Sequence, residues 1–160
     1  MHEDAIAANQ KLRVGFPGIY QSYLGAGRLD DARRLIDEAL TRNPENGPAL
    51  FNRRLLLAFE GKFEDARARA AQPAPLARMA RNFHHLTYQN ACMSALEGKS
   101  DDAVEWLKET VRAGMPVYPA FERDRCFARI RQTRPFIQFM ADLKPTWEGY
   151  VRAIRPFTQN

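Results

Sequence analysis

Apolar residues recur along most of this chain at the three-to-four-residue spacing of an α-helix, and glycine or proline interrupts the pattern at regular intervals. The clearest stretch runs from Asp30 to Arg42. Ala32, Leu35, Ile36, Ala39 and Leu40 fall on one stripe there, with Arg33, Arg34, Asp37 and Glu38 on the other side. Asp30 and Asp31 suit the positive end of the helix dipole, and Pro44 closes the segment. The opening Gly27-Arg28-Leu29-Asp30-Asp31-Ala32 returns 34 residues later as Gly61-Lys62-Phe63-Glu64-Asp65-Ala66. It returns again, after a further 37, as Gly98-Lys99-Ser100-Asp101-Asp102-Ala103. A period in this range predicts an all-α fold of stacked helix pairs.

The partner helices follow from the remaining runs. Ile19, Tyr20 and Tyr23 give the inward face of a short helix from about Pro17 to Ala26, because Gly15, Pro17 and Gly18 separate it from the leader. Ala49 to Glu60 is the next helix, and Phe63 to Ala71 follows until Gln72-Pro73-Ala74-Pro75 ends it. No breaker occurs from Leu76 to Glu97, which predicts one long helix of about 22 residues. The period stops beyond Ala113. Phe127, Ile130, Phe136, Phe139, Met140, Leu143 and Trp147 then supply a helical cap for the open end of the stack. Thr133 is the expected N-cap of its last helix, with Pro135 in the first turn, and Pro145 is expected to kink it. The resulting division is a leader at 1–12, repeats at 13–46, 47–75 and 76–113, the second with a shortened second helix, and the cap at 114–160.

From about Arg13 to Ala113 the chain resembles a tetratricopeptide repeat protein. That family's pattern has a small residue ending helix A, an alanine near the start of helix B, a large apolar residue four further on, a second alanine, and a proline. In this chain the first repeat offers Gly27, Ala32, Ile36, Ala39 and Pro44. The second keeps Gly61 and Ala66 but has Ala70 and Pro73 at the next two places. The third keeps Gly98, Ala103 and Leu107 but has Thr110 for the second alanine and lacks the proline. The tail, with Tyr118-Pro119-Ala120-Phe121-Glu122-Arg123-Asp124, Pro135-Phe136 and Trp147-Glu148, resembles the end of such arrays in bacterial regulators. Arg125 stands where that end usually has proline. The resemblance implies an α-α superhelix of TPR-like hairpins with C-terminal capping helices.

The chain has 160 residues, 45% of them hydrophobic, which suits one globular domain. Its formal net charge is +5, from 24 basic and 19 acidic residues, but the basic groups are scattered singly through helices. That pattern reads as a solvated face rather than a phosphate track, so nucleic acid is the lesser expectation. The start, His2-Glu3-Asp4-Ala5-Ile6, is not a signal sequence and no window has the apolar length of a membrane helix, which leads to a cytoplasmic expectation with no membrane partner. Cys92 and Cys126 have no metal-ligand spacing and read as buried free thiols. His84-His85 has no third ligand at i+3 or i+4, and packing or groove lining is the expected role. Neither a phosphate loop nor an activated nucleophile is evident, so the chain reads as a non-enzyme with no catalytic residues, cofactor or metal.

In stacked helix pairs the A helices line the concave face. The register puts Gln21 and Leu24 there in the first repeat, Phe51, Asn52, Leu55 and Phe59 in the second, and His85, Tyr88, Gln89 and Cys92 in the third. Gln21, Phe51, Asn52, Leu55, Phe59, His85, Tyr88 and Gln89 are therefore the expected partner-binding groove, with a peptide segment or helix of another protein as its occupant. Phe51-Asn52-Arg53-Arg54 also resembles part of the carboxylate clamp of co-chaperone arrays, but Pro17, Gln21, His85 and Gln89 stand where further clamp residues would be. Self-association as a homodimer, in a regulatory segment of a signalling protein, is the other expectation, beside a basic nucleic-acid-binding module.

Overall fold

The computed structural model describes residues 18–70 and 83–154, and every regular element among them is helical. The chain divides into two units, Met1–Ala80 and Arg81–Asn160. The first contains α1 (Ile19–Ala26), α2 (Leu29–Arg42), α3 (Gly47–Phe59) and α4 (Phe63–Ala70). The second contains α5 (Phe83–Glu97), α6 (Ser100–Arg112), α7 (Tyr118–Arg123), a 3-10 turn at Arg125–Phe127, and α8 (Arg134–Ile154). The leader, Pro17, the Gln72-to-Pro75 breaker and the start of the long helix expected from Leu76 lie outside the described residues.

Each expected A–B hairpin forms by the same local device. α1, α3 and α5 end on backbone that turns left-handed at Gly27, Gly61 and Gly98, with φ of 76°, 76° and 82°. That conformation is open to glycine without the Cβ clash other residues meet. At each end the next amide reaches back past the last turn: Arg28 N–H to the Tyr23 carbonyl at 2.9 Å, Lys62 N–H to Leu57 at 2.9 Å, and Lys99 N–H to Ser94 at 2.9 Å. These bonds satisfy carbonyls that a helix terminus otherwise leaves open, and they reverse the chain for helix B. The alanine five residues after each glycine is fully buried in all three hairpins, as Ala32, Ala66 and Ala103.

In the first unit α1 packs on α2 and on α3, α2 on α3, and α3 on α4. Its interior holds Ile19, Tyr23, Leu24, Ile36, Leu56 and Ala58. On α2 the water-facing assignment holds for Arg34, Asp37 and Glu38, but Arg33 is half-buried because it bridges to Glu60 at the end of α3, 2.8 Å away. Lys62 lies 2.7 Å from the other Glu60 oxygen. Burial alone would raise the Glu60 carboxyl, but Lys62 and Arg33 outweigh it and hold the group below its ordinary value. A depressed carboxyl contributes stability above its unfolded value, and the contribution fades as pH falls through the folded one. Glu60→Gln should therefore cost about 1 kcal/mol at neutral pH. Urea titrations of the two chains should converge in acid, where both side chains are neutral. Equal stability at neutral pH would show that the bridge contributes nothing.

In the second unit α5 packs on α6 and on the 3-10 turn, and α8 packs on α6 and α7. Thr110 is fully buried on α6, and the structure explains how a hydroxyl is tolerated there. Its Oγ1 lies 2.9 Å from Thr87 Oγ1 on α5 and 2.8 Å from the Trp106 carbonyl, while Thr87 Oγ1 donates to the His84 carbonyl at 3.0 Å. Two buried hydroxyls thus satisfy each other across the hairpin. The expected cap residues Phe127, Ile130, Phe136, Phe139, Met140 and Leu143 are buried, and Trp147 is half-buried. Thr133 stands immediately before α8, and its carbonyl accepts the Ile137 N–H at 3.0 Å, as that of an N-cap residue does. Its hydroxyl has a further use: it donates to the Ile130 carbonyl at 2.7 Å and so accepts from Ser100 Oγ at 2.5 Å, which ties the start of α8 to the start of α6. α8 continues as one helix through Pro145.

Candidate functional site

The expected groove residues separate into inward and outward sets. In the first unit Gln21 is exposed, Phe59 is half-buried, and Phe51, Asn52 and Leu55 are buried, as is Leu24. Asn52 is only 3% exposed; its Nδ2 donates to the Pro48 carbonyl one turn earlier at 2.9 Å, and its Oδ1 finds no donor among the described residues. In the second unit His85 is half-buried with its ring 4.3 Å from that of His84, while Gln89 is buried. Burial, and then the neighbouring His84, hold the His85 imidazole below its ordinary pKa. At neutral pH His85 is therefore a neutral donor and acceptor. Asn52 and Gln89 are on A helices as the register requires, but the structure turns their side chains inward. Gln21, Phe59 and His85 retain accessible surface.

Tyr88 has a different setting. Its hydroxyl donates to Asp124 Oδ2 at 2.5 Å, and its ring lies in an aromatic cluster with Phe121 at 5.7 Å and Phe127 at 5.8 Å between centroids. Asp124 sits between α7 and the 3-10 turn, where Oδ1 accepts the Cys126 backbone N–H at 2.8 Å. Its own carbonyl accepts from the Arg131 guanidinium, 2.8 Å away. This turn brings Cys126 against Cys92 of α5, one helical turn beyond Tyr88. The two sulfurs and an Asp124 oxygen all lie within 4.8 Å of one another.

Both cysteines are free and buried, as their apolar contexts implied. Burial raises the Cys92 thiol and pushes the Cys126 thiol well above its ordinary value; for Cys126 the hydrogen bond that its S–H gives to Cys92 adds to the effect. Burial also raises the Tyr88 phenol, with Cys92 and Asp124 reinforcing it. The resting cluster is a pair of neutral thiols, a phenol and a carboxylate, so it offers no standing thiolate nucleophile. It can share protons, and it can exchange thiol protons for a metal ion. The sequence hides this convergence. Cys92 is 34 residues from Cys126, and neither that distance nor Asp124-x-Cys126 alone is a ligand pattern.

A second feature is the outer part of α8. Its apolar stripe is buried through Phe136, Phe139, Met140 and Leu143, then continues through half-buried Trp147 and Val151 to Tyr150 and Ile154, which are 53% and 54% exposed. No helix among the described residues is long and apolar enough to cross a membrane. Comparison of the chain with known proteins finds no matching family model, no matching curated protein and no matching solved structure.

Proposed function

We propose that the chain is a non-catalytic protein-interaction module, an α-α superhelix of TPR-like hairpins that binds a peptide segment or helix of another protein. The observation supporting this best is the repeated construction of three helix ends: a left-handed glycine followed, five residues on, by a fully buried alanine. Such hairpins are scaffolding units whose free helix faces do the binding. Of the expected contact residues, exposed Gln21 and half-buried Phe59 in the first unit and half-buried His85 in the second keep surface for a partner, and they offer amide, aromatic and imidazole groups. Nucleic acid is the weaker reading because many cations are already engaged. Arg28, Arg33, Arg53, Arg67 and Arg112 each pair with a carboxylate on the same or a nearby helix or turn.

The test is capture of partners by the full chain and by a Gln21→Ala/His85→Ala variant, with circular dichroism confirming equal helicity. A discrete protein should remain on the unsubstituted chain at high salt, and the variant should bind it at least about tenfold more weakly. Unchanged binding by the variant would sink the groove assignment. Recovery of only salt-released nucleic acid would favour the electrostatic alternative. A dimer in light scattering that Ile154→Lys abolishes, with no other protein captured, would instead favour self-association through α8.

A further inference from the structure

We propose that Cys92, Asp124 and Cys126 form a binding site for a soft divalent cation of the zinc class, which would fasten α5 to the turn before α8. Three observations lead there. The donor atoms are two sulfurs and a carboxylate oxygen, the set that borderline-soft ions take. Their mutual separations are all within 4.8 Å. In a tetrahedral zinc site, with metal–sulfur and metal–oxygen lengths of about 2.3 and 2.0–2.2 Å, ligand atoms lie roughly 3.5–3.8 Å apart. A contraction of at most about 1.3 Å therefore closes the site.

The second observation is that the ligands are held before any ion arrives. Cys92 is in the body of α5, while Asp124 and Cys126 flank a single residue of the 3-10 turn, locked by the 2.8 Å bond from Cys126 N–H to Asp124 Oδ1. Tyr88, one turn before Cys92, grips Asp124 Oδ2 from the other side at 2.5 Å. A hydrogen bond to a ligating carboxylate is the kind of outer support that orients metal ligands. The third is charge. Among the described residues no lysine, arginine or histidine side chain forms an ion pair with the Asp124 carboxylate, although it lies beside two buried thiols. A divalent cation that replaces the two thiol protons leaves the net charge of the cluster unchanged, and Asp124 can ligate it without first breaking an ion pair.

Binding is a proton exchange without redox change. Two S–H bonds break, their protons leave to buffer, two metal–sulfur bonds form, and Asp124 donates an oxygen lone pair. The fourth position is left to water.

Cobalt(II) is the probe, because tetrahedral thiolate ligation gives it a charge-transfer band and intense visible bands that the aqueous ion lacks. The full chain, reduced and freed of metal, should develop those bands at one equivalent, and zinc should bleach them by displacement. Zinc should also raise the melting temperature, since it binds the folded state. Asp124→Asn keeps the shape and the acceptors but removes the charge; it should weaken binding at least about tenfold, and Tyr88→Phe by about 10–100-fold. Cys126→Ser should abolish the thiolate bands. Because that variant could lose its fold, the unsubstituted chain is the deciding sample. Failure of its reduced thiols to give thiolate bands would overturn the site, as would bands that survive unchanged in folded Asp124→Asn and Tyr88→Phe.

Discussion

Phe121→Ala should lower the unfolding free energy of the second unit by about 3–5 kcal/mol. Phe121 is fully buried, and its ring lies 5.7 Å from Tyr88, 6.4 Å from Phe127 and 6.1 Å from Phe139, centroid to centroid. It therefore joins α5, the 3-10 turn and α8 at one point. Truncation loses the transfer energy of the ring and leaves a cavity whose walls belong to different elements and cannot easily close. Both tryptophans, Trp106 and Trp147, are in this unit, so their fluorescence during urea titration reports the loss. A cost under about 1 kcal/mol would mean that the aromatic cluster does not hold the capping elements together. The truncation should also loosen the Tyr88–Asp124 contact and weaken cobalt binding if the proposed cation site is present.

The second large effect is expected in the first unit. Ile36→Ala should cost about 2–5 kcal/mol, because Ile36 is fully buried at the centre of the α2 stripe. Its neighbour Leu35 is half-buried, and Leu35→Ala should cost less than half as much. The comparison separates the seam of the hairpin from its margin. This unit's described residues contain no tryptophan, so amide exchange in α1 to α3 is the suitable readout. Equal costs for the two variants would mean that α2 is rotated about its axis, with Leu35 sharing the seam with Ile36.

The helical hairpins were legible because their signals are local. Gly27, Gly61 and Gly98 allow the left-handed turn, and the alanine five residues later marks the helix contact. Neither inference requires knowing what lies across the fold. The start and end of α2 agree with the sequence to within a residue for the same reason. Thr133 was legible only in its place at the head of α8. A hydroxyl can serve several partners, and the packing of α6 against α8 is what brings Ser100 close enough to fix its role.

The expected contact residues were legible by helix and not by the direction of their side chains. Periodicity places Asn52 and Gln89 on A helices, but their burial depends on what packs around those helices, and a polar residue does not announce that it points inward. Tyr88 shows the same limit: its place on α5 was readable, while its bond to Asp124 joins residues 36 positions apart. The sequence by itself determined the all-helical character, the glycine-ended hairpins and the apolar stripe of α8, because helix periodicity and turn chemistry act over a few residues. The tertiary structure alone decided that Cys92, Asp124 and Cys126 meet beside Tyr88, because such a convergence depends on how α5 packs against the turn before α8.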